Sequence, residues 1–180
     1  MKTMTMAIGQ GVLLASVALG STPAGAETQN RVFGTNPAGI CQGALPAFET
    51  AIRKRPLAIQ NEGSTTAFIT CSFTSQGEWG GSARNPTRVS VFVNNASGAA
   101  VPLSCTGVTG YATQSSSHYV VKQVNLTAGT GQHVMNWVPA DFQEGATHFP
   151  SGLFSISCGL PPGVAINDSY VHFSEEVGAL

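Results

Sequence analysis

The sequence predicts an all-β fold, an antiparallel β-sandwich of the jelly-roll or immunoglobulin-like kind with about seven to nine strands. The first observation is a strict alternation of apolar and polar residues over 152–162, which is the period of a half-buried strand. Segments 66–73 and 100–106 repeat this design, and all three segments place a cysteine on the apolar side. Helical periodicity is limited to one short segment, so nothing supplies the crossovers of a parallel sheet.

The first part of the chain predicts little regular structure. Residues 27–39 are polar and interrupted by glycine and proline, which indicates a loose arm or an irregular edge piece. Residues 46–54 carry the helical signal, because Phe48, Ala51 and Ile52 fall at i, i+3 and i+4. We therefore expect at most one short helix.

Strands follow at short intervals after this segment. Asparagine- and glycine-rich residues at 61–64 and 94–98 indicate the turns of two hairpins. Two polar segments, 74–86 and 139–150, indicate long loops. The predicted strands cover 56–60, 66–73, 87–93, 100–106, 118–126, 132–138, 152–160, 164–166 and 169–174.

The amino terminus has the pattern of an export signal. Lys2 precedes an apolar run at 12–19, and the small residues 24–26 resemble a cleavage site. The apolar run is too short to span a bilayer and no later segment is longer, so no membrane span is expected. The sequence thus predicts a signal peptide at 1–26 and a single disulfide-bonded domain at 27–180, secreted or periplasmic.

The chain carries unusually little charge. Only 9% of its residues are Asp, Glu, Lys or Arg, and its formal net charge is −1, whereas globular domains average about 25% charged residues. This balance argues against nucleic acid or an anionic membrane as a partner. It also leaves few groups for acid–base chemistry.

Four cysteines in an exported chain predict two disulfides. The favoured pairing is Cys41–Cys71 with Cys105–Cys158, because Cys105 and Cys158 both lie on the apolar face of a strand and a bridge needs Cα atoms within about 7 Å. The alternative joins Cys71 to Cys105 and Cys41 to Cys158. The cysteines are too widely spaced to suggest a zinc site.

Three segments together resemble a broad group of small exported bacterial proteins. They are NEGSTTAFITC at 61–71, VSVFV leading to VPLSC at 89–105, and GLFSISCGLPPG at 152–163. The resemblance covers about residues 56–174. It implies export and a disulfide-bonded β-domain, and it carries over no catalytic residue and no ligand.

Catalytic and metal motifs are missing from the sequence. No two histidines are spaced as H-x-H or H-x-x-x-H, and there is no Gly-x-Ser-x-Gly. The best loop cluster is Asp141, Glu144 and His148, which could bind a cation or act in catalysis if the fold brings the three together. We expect no metal and no cofactor.

Aromatic residues are the remaining candidates for a binding site. Trp79 lies in a glycine-rich loop, either as a cap over the end of the sandwich or as a platform for a sugar ring. Trp137 alternates with Met135, so it belongs either to the core or to an exposed sheet face. Tyr111 and Tyr119 could join such a face.

These observations favour an exported, non-catalytic module that binds a surface, a glycan or an extracellular protein. The alternatives are an exported hydrolase that uses residues 141–148 and an inhibitor of secreted enzymes. Nothing in the sequence indicates the oligomeric state.

Overall fold

The computed structural model describes residues 25, 27–73, 86–112, 117–129 and 131–178. Apart from Gly25, the predicted signal peptide lies outside the described residues, and so does Trp79. No helix within the described ranges has the length and the apolar character needed to cross a membrane.

Eleven strands form two antiparallel sheets within the described residues. In sheet A the order is β3-β4-β11-β6-β9, and β1 also pairs with β11; in sheet B the order is β2-β5-β10-β7-β8. Sheet A contains β1 (Glu27–Thr35), β3 (Ile52–Arg55), β4 (Ala58–Asn61), β6 (Pro86–Asn95), β9 (Gln132–Trp137) and β11 (Val164–Val177). Sheet B contains β2 (Cys41–Gly43), β5 (Ala67–Phe73), β7 (Val101–Thr109), β8 (His118–Leu126) and β10 (Phe154–Leu160).

The fold class is therefore an antiparallel β-sandwich with two disulfides, as predicted. The strand count is higher than expected, because the sequence did not reveal β1, β2 and β3. The segment at 27–39 is not a loose arm: β1 pairs with β11 along its whole length. Such a polar strand has no alternation to reveal it, since both of its faces are largely exposed.

Three helices of four residues each replace the single predicted one: α1 (Pro37–Ile40), α2 (Pro46–Glu49) and α3 (Pro139–Phe142). Each begins with a proline, whose fixed φ suits the first helical position. The helix predicted for 46–54 ends at Glu49, because Ile52 enters the core and starts β3. A helix this short gains little from its own hydrogen bonds, so tertiary packing decides the outcome.

Both disulfides lie inside sheet B. Cys41 stands opposite Cys71 on β2 and β5, with Cα atoms 4.0 Å apart. Cys105 stands opposite Cys158 on β7 and β10, with Cα atoms 4.1 Å apart. These are the favoured pairings, but they join neighbouring strands of one sheet rather than the two sheets.

The two predicted hairpins are wrong. β4 lies in sheet A and β5 in sheet B, and the same is true of β6 and β7, so both connections arch from one sheet to the other. A buried asparagine begins each arch. Asn61 Nδ2 donates to the carbonyl oxygens of Thr65 (2.8 Å) and Leu160 (2.7 Å), and its Oδ1 accepts from Gly63 N (2.9 Å).

Asn95 makes the same set of bonds in the second arch. Its Nδ2 donates to the carbonyl oxygens of Ala99 (2.8 Å) and Thr127 (3.1 Å), and its Oδ1 accepts from Ser97 N (2.9 Å). A side chain that supplies these bonds replaces the backbone ladder that a hairpin would use. The two arches are therefore locally equivalent.

Candidate functional site

The outer face of sheet B carries the residues that alternate with the cysteines along the strands. The cysteines and their apolar partners point into the core, so the residues between them point outward. None of the outward positions carries a charge. They are Gln42, Phe68, Thr70, Ser72, Pro102, Ser104, Thr106, Val108, Tyr119, Val121, Gln123, Asn125, Ser155, Ser157 and Gly159.

The pairing register arranges these side chains in rows across the strands. One row is Phe68, Gly159, Ser104, Gln123; the next is Gln42, Thr70, Ser157, Thr106, Val121; the third is Ser72, Ser155, Val108, Tyr119. The central strand β10 contributes only serine and glycine, and the larger side chains stand on β5 and β8. The face is thus a shallow trough, and β5 and β8 are about 14 Å apart at three strand spacings.

An aromatic pair forms one side of this trough. The ring of Phe68 leans over Gly159, since a Cβ at that glycine would lie 3.3 Å from Phe68 Cε1. The ring also packs against Phe48 of α2, with centroids 5.7 Å apart. Phe68 nevertheless remains 49% exposed. A side chain at position 159 would therefore crowd the ring of Phe68.

The opposite side of the trough is formed by β8. Tyr119 is 67% exposed and Val121 is 60% exposed. Their neighbour Lys122 points to the other side of the sheet, where Nζ lies 2.6 Å from Asp141 Oδ2. The one cation of this strand is thus removed from the outer face.

The predicted binding aromatics do not share one groove. Tyr119 lies on the outer face of sheet B, as described. Tyr111 follows the end of β7 beyond Gly110, where its carbonyl accepts from Ser117 Oγ at 2.6 Å. Trp137 has no exposed surface.

Trp137 was a candidate binding residue, and its position in the structure rules out that role. Its indole packs directly on Gly107, where a Cβ would come within 2.5 Å of Nε1, and Nε1 donates to the carbonyl of Val120 at 3.2 Å. The ring of Phe154 lies 6.0 Å away, centroid to centroid. Burial with a satisfied N–H makes Trp137 a core residue.

The loop cluster of Asp141, Glu144 and His148 is not assembled into a site. Asp141 Oδ2 accepts from Val138 N at 2.7 Å, which caps α3, and pairs with Lys122. His148 Nδ1 is 3.0 Å from Thr147 Oγ1, and no hydrogen bond or ion pair joins the three within the described residues. In the same ranges, no group of three or more His, Cys, Asp or Glu residues could hold a metal ion.

The outer face of sheet A has a different character. Arg88 on β6 stands opposite His172 on β11, and its Nη2 lies 3.2 Å from Nδ1 and 3.1 Å from Nε2 of the ring. Partial burial lowers the pKa of His172, and the Arg88 charge lowers it further. Phe92 and Tyr170 pack edge to face beside them, with centroids 5.5 Å apart.

The residues that sequence reasoning missed are the outward neighbours of the cysteines. Thr70, Ser104, Thr106, Ser157 and Gly159 each stand beside a disulfide cysteine. The signal that the sequence contained is that no charged residue stands next to a cysteine on any of the four cysteine-bearing strands.

The fold and this face define the class of protein: a β-sandwich with an uncharged sheet face bordered by aromatic and aliphatic side chains. No protein-family model and no curated protein sequence matches the chain. Several solved structures resemble it. One is TmCBM61 in complex with β-1,4-galactotriose, at 10% identity over 82% of this chain and 88% of that chain, with a TM-score of 0.37.

A second is a family 11 carbohydrate-binding module from Clostridium thermocellum with a β-1,3-1,4-mixed-linked tetrasaccharide, at 12% identity over 91% of this chain and 93% of that chain, TM-score 0.35. A third is the carbohydrate-binding module CBM36 with calcium and xylotriose, at 13% identity over 80% and 98%, TM-score 0.35. With identities and TM-scores this low, the function of this chain has to be argued from its own surface.

Proposed function

We propose that this protein is an exported, non-catalytic module that binds a neutral glycan on the outer face of sheet B. The observation that supports this most strongly is the combination of hydroxyl, amide and aromatic groups on a face without charge. Sugars present hydroxyl groups around the ring and apolar C–H groups on its faces. Serine, threonine and glutamine side chains pair with the former, and aromatic rings cover the latter.

The absence of charge narrows the ligand class. A charged partner gains affinity and orientation from opposite charges on the binding surface. The outer face of sheet B offers none, so it suits a ligand that is itself uncharged. Exposed Phe68, Tyr119 and Val121 lie on this same face, and exposed apolar groups gathered in one place are typical of interaction surfaces.

The disulfides support the proposal through rigidity. Cys41–Cys71 and Cys105–Cys158 lie directly beneath the outer face and fix β2 to β5 and β7 to β10. A surface that is ordered before it binds loses less entropy on binding. Two disulfides also suit an oxidising compartment, which agrees with the export signal predicted for 1–26.

We propose a non-catalytic function because the outer face of sheet B lacks the carboxyl groups that hydrolysis would need. Hydrolysis of a glycosidic bond usually needs two carboxyl groups on opposite sides of that bond. Among the described residues, the outer face of sheet B has no carboxyl group, and the Asp141 carboxylate is already occupied by Lys122 and by the cap of α3. Binding without turnover is the function that these groups support.

The test compares one lysine substitution on each sheet. Val121 on β8 and Val134 on β9 are exposed valines on outward faces of edge strands. We expect the unmodified protein to be retarded by at least one neutral polysaccharide in affinity electrophoresis. Val121→Lys should weaken this binding about tenfold or more, because a bound sugar would have to desolvate the ammonium group.

Val134→Lys adds the same charge to sheet A and should bind like the unmodified protein. Retention by no neutral polysaccharide, or equal losses in the two variants, would contradict the proposal. Binding to an extracellular protein in place of any glycan would assign the face to a different class of partner.

A further inference from the structure

A second site lies on the opposite sheet, where β1, β6 and β11 meet. We propose that the cavity between these strands binds an oxyanion, a carboxylate or sulfate group, with the Arg88 guanidinium as the main donor. This site is separate from the glycan face, and neither proposal depends on the other.

The cavity has a volume of about 350 Å³ and a lining that combines basic and polar residues with the apolar Val138 and Phe173. The polar residues among those that line it are Asn30, Arg31, Thr87, Arg88 and His172. Asn30 Oδ1 accepts from Ser174 Oγ at 3.3 Å, so the amide oxygen is engaged and its Nδ2 remains a donor.

An irregularity in strand pairing shapes this cavity. His172 pairs with Arg88, but Phe173 pairs with Pro86, so Thr87 is an extra residue in β6. Thr87 Oγ1 donates to the carbonyl oxygen of His172 at 3.2 Å and fixes the irregular segment. Bulges of this kind redirect side chains and occur frequently beside functional sites.

The charges of the cavity do not cancel. Arg31 Nε pairs with Glu175 Oε2 at 2.9 Å, which neutralises that guanidinium. Arg88 forms no ion pair with a carboxylate within the described residues; its Nη2 contacts the ring of His172. One uncompensated positive charge therefore borders a cavity lined with hydrogen-bond donors.

Arginine chemistry indicates the ligand class. The planar guanidinium presents parallel N–H groups that match the two oxygens of a carboxylate or sulfate, and such charge-assisted pairs are stronger than neutral ones. Only one of the Arg88 terminal nitrogens is placed against His172. Within the described residues the other donors of Arg88 make no side-chain hydrogen bond, and we expect them to donate to an oxyanion in the cavity.

The experiment is an amide NMR titration of the purified protein with sodium acetate, sodium glucuronate and sodium sulfate, at an ionic strength held constant with chloride. We expect saturable shifts centred on Thr87, Arg88 and His172. Arg88→Gln should weaken the affinity about tenfold, as expected when one hydrogen bond to a charged group is lost. Arg88→Lys keeps the positive charge but loses the paired N–H groups of the guanidinium, so its affinity should lie between those of the unmodified protein and Arg88→Gln.

Arg53→Gln is the matched control, because it removes one guanidinium that is already paired with Glu62 and that belongs to the edge strand β3, which β4 separates from the cavity's strands. It should leave anion binding unchanged. Tighter binding of glucuronate than of acetate would identify an acidic sugar as the source of the carboxylate, and equal binding would identify a free carboxylate. Shifts that never saturate with any of the anions, or equal effects of Arg88→Gln and Arg53→Gln, would overturn the proposal.

Discussion

The outer faces of the two sheets differ in charge although both belong to one sandwich. On sheet A, Arg88 stands beside His172, and Arg53 and Arg55 pair with Glu62 at the edge. On sheet B, the only cation of the strands, Lys122, points away from the outer face. The charged side chains of the strands are therefore distributed unevenly, and among the described residues the outer face of sheet B carries none of them.

The two sheets also differ in how they are held together. Sheet B contains both disulfides, whereas sheet A relies on backbone pairing, including the long β1–β11 ladder. The neutral face is thus also the covalently fixed face. This coincidence is what a preformed binding surface requires, since rigidity reduces the entropy lost on binding.

The largest expected effect concerns the covalent difference. Replacing Cys105 and Cys158 together by alanine should lower the free energy of unfolding by about 2–5 kcal/mol, measured by urea denaturation. The corresponding Cys41 and Cys71 variant should lose about 0.5 kcal/mol less on the loop-entropy argument, because its loop is 30 residues instead of 53. Losses well below 1 kcal/mol in both variants would mean that the disulfides do not fix sheet B.

The next effect concerns the two arches that connect the sheets. Asn61→Ala and Asn95→Ala should each cost about 1–3 kcal/mol, because each leaves buried backbone groups without partners. The costs should be similar and should add in the double variant. Asn125→Ala, on an exposed position of β8, is the control for stability and should stay within about 0.5 kcal/mol of the unmodified protein. A negligible cost at either buried asparagine would show that the arch does not depend on it.

A smaller effect compares the exposed tyrosines of the two faces. Tyr119→Ala removes an aromatic ring from sheet B and should weaken binding of a neutral glycan about tenfold. Tyr170→Ala removes a 38% exposed ring from sheet A and should leave the affinity unchanged. Isothermal titration calorimetry with the same oligosaccharide measures both. A larger loss of affinity for Tyr170→Ala would place the glycan on sheet A and contradict the proposal.

The smallest effect is the pH dependence of sheet A. The pKa of His172 is lowered in the folded protein by burial and by Arg88, from an ordinary value near 6.5. The unfolded chain therefore binds the proton more readily, and the contribution of His172 to stability is lost as the pH falls below that value. The melting temperature of His172→Gln should decline less than that of the unmodified protein between about pH 7.5 and about pH 5. Parallel declines would indicate that His172 does not contribute.

The sequence predicted the features that alternation and cysteine count control. The strand containing Cys158 and the sandwich class follow from apolar residues at every second position. The same pattern favoured the observed disulfide pairing but left the alternative of Cys71–Cys105 with Cys41–Cys158 open. The arches at Asn61 and Asn95 did not follow, because an asparagine before glycine or serine has the same pattern in a hairpin turn as in a connection between sheets. Only the sheet order distinguishes the two.

The sequence pointed to only part of the proposed binding face. Tyr119 was among its candidates because an aromatic ring on a strand can cover the face of a sugar ring, and the structure places it exposed on the outer face of sheet B. Ser157 and Gly159 were not predicted, because small polar residues are equally common at ordinary solvent-facing positions. Only the register shows that they lie on β10, between β5 with Phe68 and β8 with Val121. The burial of Trp137 depends on the contact with Gly107, a residue distant in sequence, which no local pattern contains.

The most direct test of the central claim is amide NMR mapping with a neutral oligosaccharide that the protein retains. If the outer face of sheet B is the binding surface, the largest shifts will fall on Thr106, Ser157 and Tyr119, and residues of β6 and β11 will be unaffected. Shifts confined to β6 and β11, or to the loop at 139–150, would contradict the assignment of the glycan to sheet B.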